Sequence, residues 1–198
     1  MSNPNKDVID VLNDLIEYSK DGQKGFKESA DDVKNPQLKA FFEQRAIECG
    51  DAVSELQAEV SHLGGDPETS TSFSGDLHRG WVNLKSLFTG KDEEAVLNEV
   101  ERGEDHALKA YKDAREKLVK LGASTNHAAP LGATGHAAPL GTTTAPLGTT
   151  TTAPVAATTG SVDTNATRAY HLVQKQLDGV QRNHDQVKAL RDQARARS

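Results

Sequence analysis

Residues 92–122 read DEEAVLNEVERGEDHALKAYKDAREKLVKLG. Leu97, Val100, Ala107, Leu108, Tyr111, Leu118 and Leu121 recur mostly at three- and four-residue steps, the period of one helix face. Gly122 ends the pattern, as a glycine just past a helix does. A helix this long and this amphipathic cannot bury its stripe alone, so it needs other helices to pack against.

The rest of the chain supplies them. Residues 7–33 place Val8, Val11, Leu12, Leu15, Ile16, Tyr18, Phe26, Ala30 and Val33 mostly at helical spacing. Asn35-Pro36 marks a turn. A second helix is expected over 37–63, with Leu38, Phe41, Phe42, Cys49, Ala52, Val53, Leu56, Val60 and Leu63 as its stripe, and Gly64-Gly65 as its stop. A short helix is expected over 75–89, with Leu77, Trp81, Leu84, Leu87 and Phe88 on one side. The last helix covers about 163–196, with Ala169, Val173, Leu177, Val180, His184, Val187 and Leu190. No segment alternates with period two, so the fold class is all-α: a four-helix bundle with a short extra helix.

Between Leu121 and Val162 there is no charged residue, and Ala-Pro-Leu-Gly occurs at 129–132, 138–141 and 145–148 among runs of Thr. Such a stretch has too little apolar surface to offset its ordering entropy. It reads as a disordered linker, 122–162, inserted between a body at 1–121 and a C-terminal helix at 163–198 that completes the bundle. A coil of this length spans roughly 35 Å, against about 42 Å for a long helix of the bundle. The last helix can therefore return to its own bundle or cross to a second copy, as a homo-oligomer built by domain swap.

Charge separates the same parts. Residues 1–120 hold 16 basic and 25 acidic residues, and residues 163–198 hold 7 basic and 4 acidic. An acidic body and a basic tail attract each other in a salt-dependent way. The net charge of −6 argues against nucleic acid as a partner. No apolar run is long enough to span a membrane, and the N-terminus lacks the apolar stretch of a secretory signal, so a cytoplasmic location is expected. Aromatics at 5% rule out a large aromatic core. Cys49 is the single cysteine and reads as a small core residue.

Polar residues on apolar stripes are the informative positions, since burying an unpaired charge is costly. Glu101 and Glu104 share a helix face with Leu97, Val100, Leu108 and Tyr111. His184 lies within the last stripe, and Arg45 interrupts the second helix near Cys49. Glu17 and Glu55 flank the first and second stripes. Counted from helix midpoints in an up-down-up-down bundle, Glu17, Glu55, Glu104 and His184 fall at one level, as the ligands of a bundle-core metal site do. The competing reading is structural: Glu101, Glu104 and Asp105 pair with Arg102, Lys109 or Arg45, and His184 is a satisfied core histidine. Glu59 and His62 make a formal Glu-x-x-His, but in the last turn of their helix. His127 and His136 lie in the linker, too far apart for a compact site.

The stretches Leu12-Asn-Asp-Leu-Ile-Glu17, Asp21-Gly22, Leu63-Gly-Gly-Asp-Pro67, Leu77-His-Arg-Gly-Trp81, Glu101-Arg-Gly-Glu-Asp105 and Gly179-Val-Gln-Arg-Asn-His-Asp185 carry a resemblance. They are similar to the bacterial ferritin-like four-helix-bundle proteins catalogued as domain of unknown function 2383. The resemblance implies a ferritin-like bundle without a settled biochemical role, to which 122–162 is an insertion. Ferritin-like enzymes usually carry a Glu on each of two helices and Glu-x-x-His on the other two. Here Gln181 stands where a Glu-x-x-His would begin before His184, and residues 101–104 offer two glutamates instead, which argues against a full di-iron set.

Two functions follow as expectations. One is a metal-binding bundle taking iron or another transition metal on Glu17, Glu55, Glu104 and His184, with Glu101 as a further ligand or supporting group. The other is a structural or oligomeric, stress-related scaffold with no metal.

Overall fold

The computed structural model describes residues 3–69, 93–125 and 163–197. Four helices make up the described part: α1 (Lys6–Asp32), α2 (Pro36–His62), α3 (Glu93–Lys120) and α4 (Thr164–Arg195). Each falls within about a residue of its expected bounds. The expected short helix at 75–89 lies outside the described residues, as does the linker beyond residue 125.

Local chemistry sets the helix ends. The Asn35 side chain accepts from the backbone N–H of Gln37 at 2.8 Å, with Pro36 in the first helical position, where its missing N–H costs nothing. Asp163 caps α4 likewise, accepting from Asn165 N at 2.8 Å and Ala166 N at 2.9 Å. α2 and α3 end alike. Gly64 and Gly122 adopt φ of 75° and 96°, and the following N–H reaches back to the carbonyls of Val60 and Leu118, both at 3.0 Å. Only glycine takes that left-handed turn without strain.

The helices pack as two tight pairs, α1 with α2 and α3 with α4. Their stripes form two apolar clusters. One holds Leu12 and Ile16, Leu56 and Val60, Leu108 and Leu118, and Ala169 and Val173. The other holds Phe26, Phe41, Phe42, Leu97, Val100 and Val187.

Cluster membership fixes the direction of each helix. The N-terminal half of α1 lies with the C-terminal halves of α2 and α3 and the N-terminal half of α4. α2 and α3 therefore run parallel, and the order is up-down-down-up rather than the alternating one expected. A single lengthwise crossover between the second and third helices is a connectivity that ferritin-like bundles use. Its start is visible: Asn13 Nδ2 donates to Asp66 O at 3.2 Å, and Lys20 Nζ donates to Glu68 O at 2.9 Å. The strand from residue 63 thus climbs along α1. Thirty residues between α2 and α3 reach easily from one end of the bundle to the other.

α3 and α4 close on each other within the same chain. Asp163 N donates to Gly122 O at 3.0 Å, and Ser124 N donates to Thr167 Oγ1 at 2.9 Å. The insertion thus leaves and re-enters at adjoining points. No described helix is long and apolar enough to cross a membrane.

Because the junction closes without the insertion, replacing residues 126–162 with about four Gly/Ser residues is expected to keep the fold. Shortening the loop about tenfold removes roughly 2 kcal/mol of closure entropy, so the urea midpoint should rise. A loss of helicity by circular dichroism would show that the insertion takes part in the fold.

Candidate functional site

Between the two apolar clusters, polar side chains cross the bundle. In one network Ser19 and Tyr111 hydroxyls lie 3.0 Å apart, Tyr111 donates to Gln176 Oε1 at 3.1 Å, and Gln176 Nε2 donates to Glu55 Oε2 at 3.0 Å. Lys175 Nζ completes it on Glu55 Oε1 at 2.6 Å. All four helices contribute, and each buried group finds a partner, as buried polar groups must. Burial pushes the Tyr111 hydroxyl well above its ordinary range, so it stays a neutral donor.

The second network centres on Arg45, 5% exposed. Its Nε and Nη2 both donate to Glu104 Oε1, at 3.1 and 3.0 Å, and its Nη1 donates to Glu48 Oε2. The guanidinium also lies 5.4 Å from the Phe26 ring centroid, within cation–π range. Asn183 Nδ2 adds a bond to Glu48 at 3.0 Å.

Glu104 is 2% exposed, and its second oxygen, Oε2, makes no hydrogen bond. The Tyr18 hydroxyl is likewise buried and without a partner. Burial raises the Glu104 carboxyl above the usual range, with Arg45 and His184 opposing. Burial outweighs Arg45 because that one guanidinium is shared with Glu48, whose carboxyl its contacts hold low. Burial also drives the Tyr18 hydroxyl upward, aided by the charge of Glu104.

Tyr18 and Glu104, the residues that carry these atoms, line a cavity of about 430 Å³ to which every helix contributes. Gly22, Gly103 and Gly179, each in the middle of a helix, form part of its wall. A Cβ on Gly103 would meet nothing within 4 Å, and one on Gly179 would reach only the end of Arg182 at 3.7 Å. Phe26, Val100, Ala107 and Val180 give the cavity apolar surface, and the exposed Asp51, Arg102 and Arg182 stand at its outer side.

The five expected metal ligands are dispersed. Glu55 and Glu104 line the cavity, whereas Glu17, Glu101 and His184 do not. Helix direction is the reason. With α3 and α4 reversed relative to the alternating order, Glu17 and Glu55 lie toward one end of the bundle, and Glu101, Glu104 and His184 toward the other. Each neighbourhood also supplies its own counter-charge. Arg191 binds Glu101, Lys175 binds Glu55, and Arg45 binds Glu104. His184 lies between Asp105 at 3.1 Å and Asp185 at 3.2 Å. Among the described residues no three His, Cys, Asp or Glu side chains come together as a metal cluster. The donor set therefore does not fit the two-metal carboxylate centre usual in ferritin-like enzymes, from which Gln181 and the Glu101/Glu104 pair already depart.

Burial holds the Cys49 thiol up to about 12, so it stays protonated and unreactive, as its place in the stripe suggested. The Arg45–Glu104 pair was among the pairings that spacing allowed. Spacing did not single out Tyr18, Gln176 or Asn183. Gln176 carried a readable signal, a polar residue at helical spacing between Val173 and Val180. The mid-helix glycines carried another.

Removing one partner of a buried ion pair strands the other. Arg45→Met is expected to cost roughly 3–5 kcal/mol, and Arg45→Met with Glu104→Leu should recover most of that in urea unfolding. A double-variant loss equal to the sum of the two single losses would mean that the pair is not coupled.

The Glu104 carboxyl titrates above its unfolded value of 4.5. Its contribution to stability is therefore complete below that value and is lost as pH rises through the folded one. The stability of the native chain relative to Glu104→Gln should fall as pH climbs from acid toward neutral. A difference independent of pH would contradict the raised carboxyl.

The family model described as domain of unknown function (DUF2383) matches residues 7–117, which span α1 and α2 and all but the last turn of α3. No curated protein matches the chain.

Proposed function

The chain belongs to the DUF2383 family, and for this member we propose a binding role: the mid-bundle cavity takes up a small organic molecule. One observation carries the reading. Glu104, 2% exposed, lines a cavity of about 430 Å³ and keeps one carboxylate oxygen without a hydrogen bond. Leaving such a group unsatisfied costs on the order of 1–3 kcal/mol or more, and a donor on a ligand recovers it. Small-molecule sites run from roughly 300 to 1,000 Å³, and this volume lies within that range.

Gly103 supports the same reading. A glycine inside a helix costs about 1 kcal/mol relative to alanine, yet a Cβ there would meet nothing within 4 Å beyond its own stretch of helix. Close packing of helices does not account for it, whereas keeping the cavity open does. The protonated Cys49 thiol favours binding over nucleophilic chemistry.

Hexanol, hexylamine and hexanoate are suitable probes, followed through the methyl resonances of Val100, Ala107 and Val180. At least one should give saturable shifts in the native chain, and Gly103→Leu, checked for helicity, should abolish them. Gly103→Ala should raise stability by about 1 kcal/mol. Absence of saturable shifts with all three probes would remove the binding role. Stoichiometric transition metal after iron loading, lost in both His184→Ala and Glu104→Gln, would put a metal centre in its place.

A further inference from the structure

Charge around the cavity is nearly balanced, but not everywhere. Two of the five lining carboxylates have a cation of their own: Arg102 serves Glu99 and Lys175 serves Glu55. Asp51 and Arg182, of opposite sign, are exposed to water. The imbalance sits at Arg45. One guanidinium there faces two carboxylates, Glu48 and Glu104. His184 offsets the deficit only in part, because its two ring nitrogens face carboxylates of their own, Asp105 and Asp185.

The geometry puts the surplus on one atom. Both Arg45 donors that reach Glu104 converge on Oε1, and Oε2 is left without a donor. The Tyr18 hydroxyl, the other orphaned polar group of the cavity, offers a second acceptor from α1.

We infer that the cavity selects organic cations: an ammonium head seated on Glu104 Oε2, with a short apolar body against Val100, Ala107 and Val180. The inference rests on the binding role proposed above and adds the class of ligand to it. An ammonium brings three donors and one positive charge. It answers the orphaned carboxylate oxygen and the charge deficit together. An anionic head would add to the negative surplus in a buried setting, where unpaired charge is most costly. A bare Ca2+ or Mg2+ ion would find too few oxygens, since these ions take six or more ligands.

The three probes differ in little but the head group, so their ranking tests the inference. In the native chain hexylamine should bind at least tenfold more tightly than hexanol, with hexanoate weakest. A hydrogen bond to a charged group is worth about 1.5–3 kcal/mol, so Glu104→Gln should weaken hexylamine by roughly ten- to a hundredfold and hexanol, which brings one donor and no charge, by clearly less. Hexanol binding as tightly as hexylamine, or hexanoate binding most tightly, would overturn the selectivity for cations while the binding role stands. No probe binding at all would remove the binding role and the selectivity together. The ranking in the native chain decides the matter even where Glu104→Gln fails to fold.

Discussion

One guanidinium, Arg45, ties the two helical pairs together. It stands on α2, in the first pair, and grips Glu104 on α3, in the second, with both groups almost fully withdrawn from water. The pairs touch each other far less than their own members do, so this crossing weighs heavily. A buried ion pair adds little net stability, because desolvation offsets the attraction. What it adds here is register: any sliding of one pair against the other would leave a bare charge in the core. The hydroxyl–amide chain from Ser19 through Tyr111 and Gln176 to Glu55 does the same on the other side of the cavity. The apolar clusters beyond supply the bulk of the cohesion, and they have no such discrimination built in.

Much of this architecture could be read from residue order. Helix ends were legible because Asn35-Pro36, Gly64 and Gly122 are local signals, whose geometry depends on a few neighbouring residues. The direction of α3 was not. Amphipathic spacing describes a face and says nothing of which way the helix points. The choice lay in the connection after Gly65, whose length permits either arrangement. That single unknown carried the candidate site with it. Counting along helices placed Glu17, Glu55, Glu104 and His184 at a common height, and reversing two helices separates them into two levels.

The same logic explains what was seen correctly about charge. Compositional asymmetry predicted that the last helix would be drawn to the body, and the contacts bear this out. Arg168 reaches Glu59, Arg191 reaches Glu101, and Arg195 reaches Glu94. Sign is additive along a sequence and survives any error in topology. The cavity is the opposite case. It arises from glycines on three different helices meeting at one height, a coincidence that no one segment encodes.

The insertion separates the two helical pairs in time as well as in sequence. α1 and α2 are joined by three residues, so their hairpin closes in a short local search. α4 must find α3 across some forty residues of intervening chain, a slower encounter by loop-closure entropy. Arginines along α4 speed that encounter, because opposite charges steer diffusing segments before any contact forms. Charge complementarity on this helix thus favours its encounter with the body as well as its docking, an effect on rate that the modest strength of exposed ion pairs in the finished bundle does not reveal.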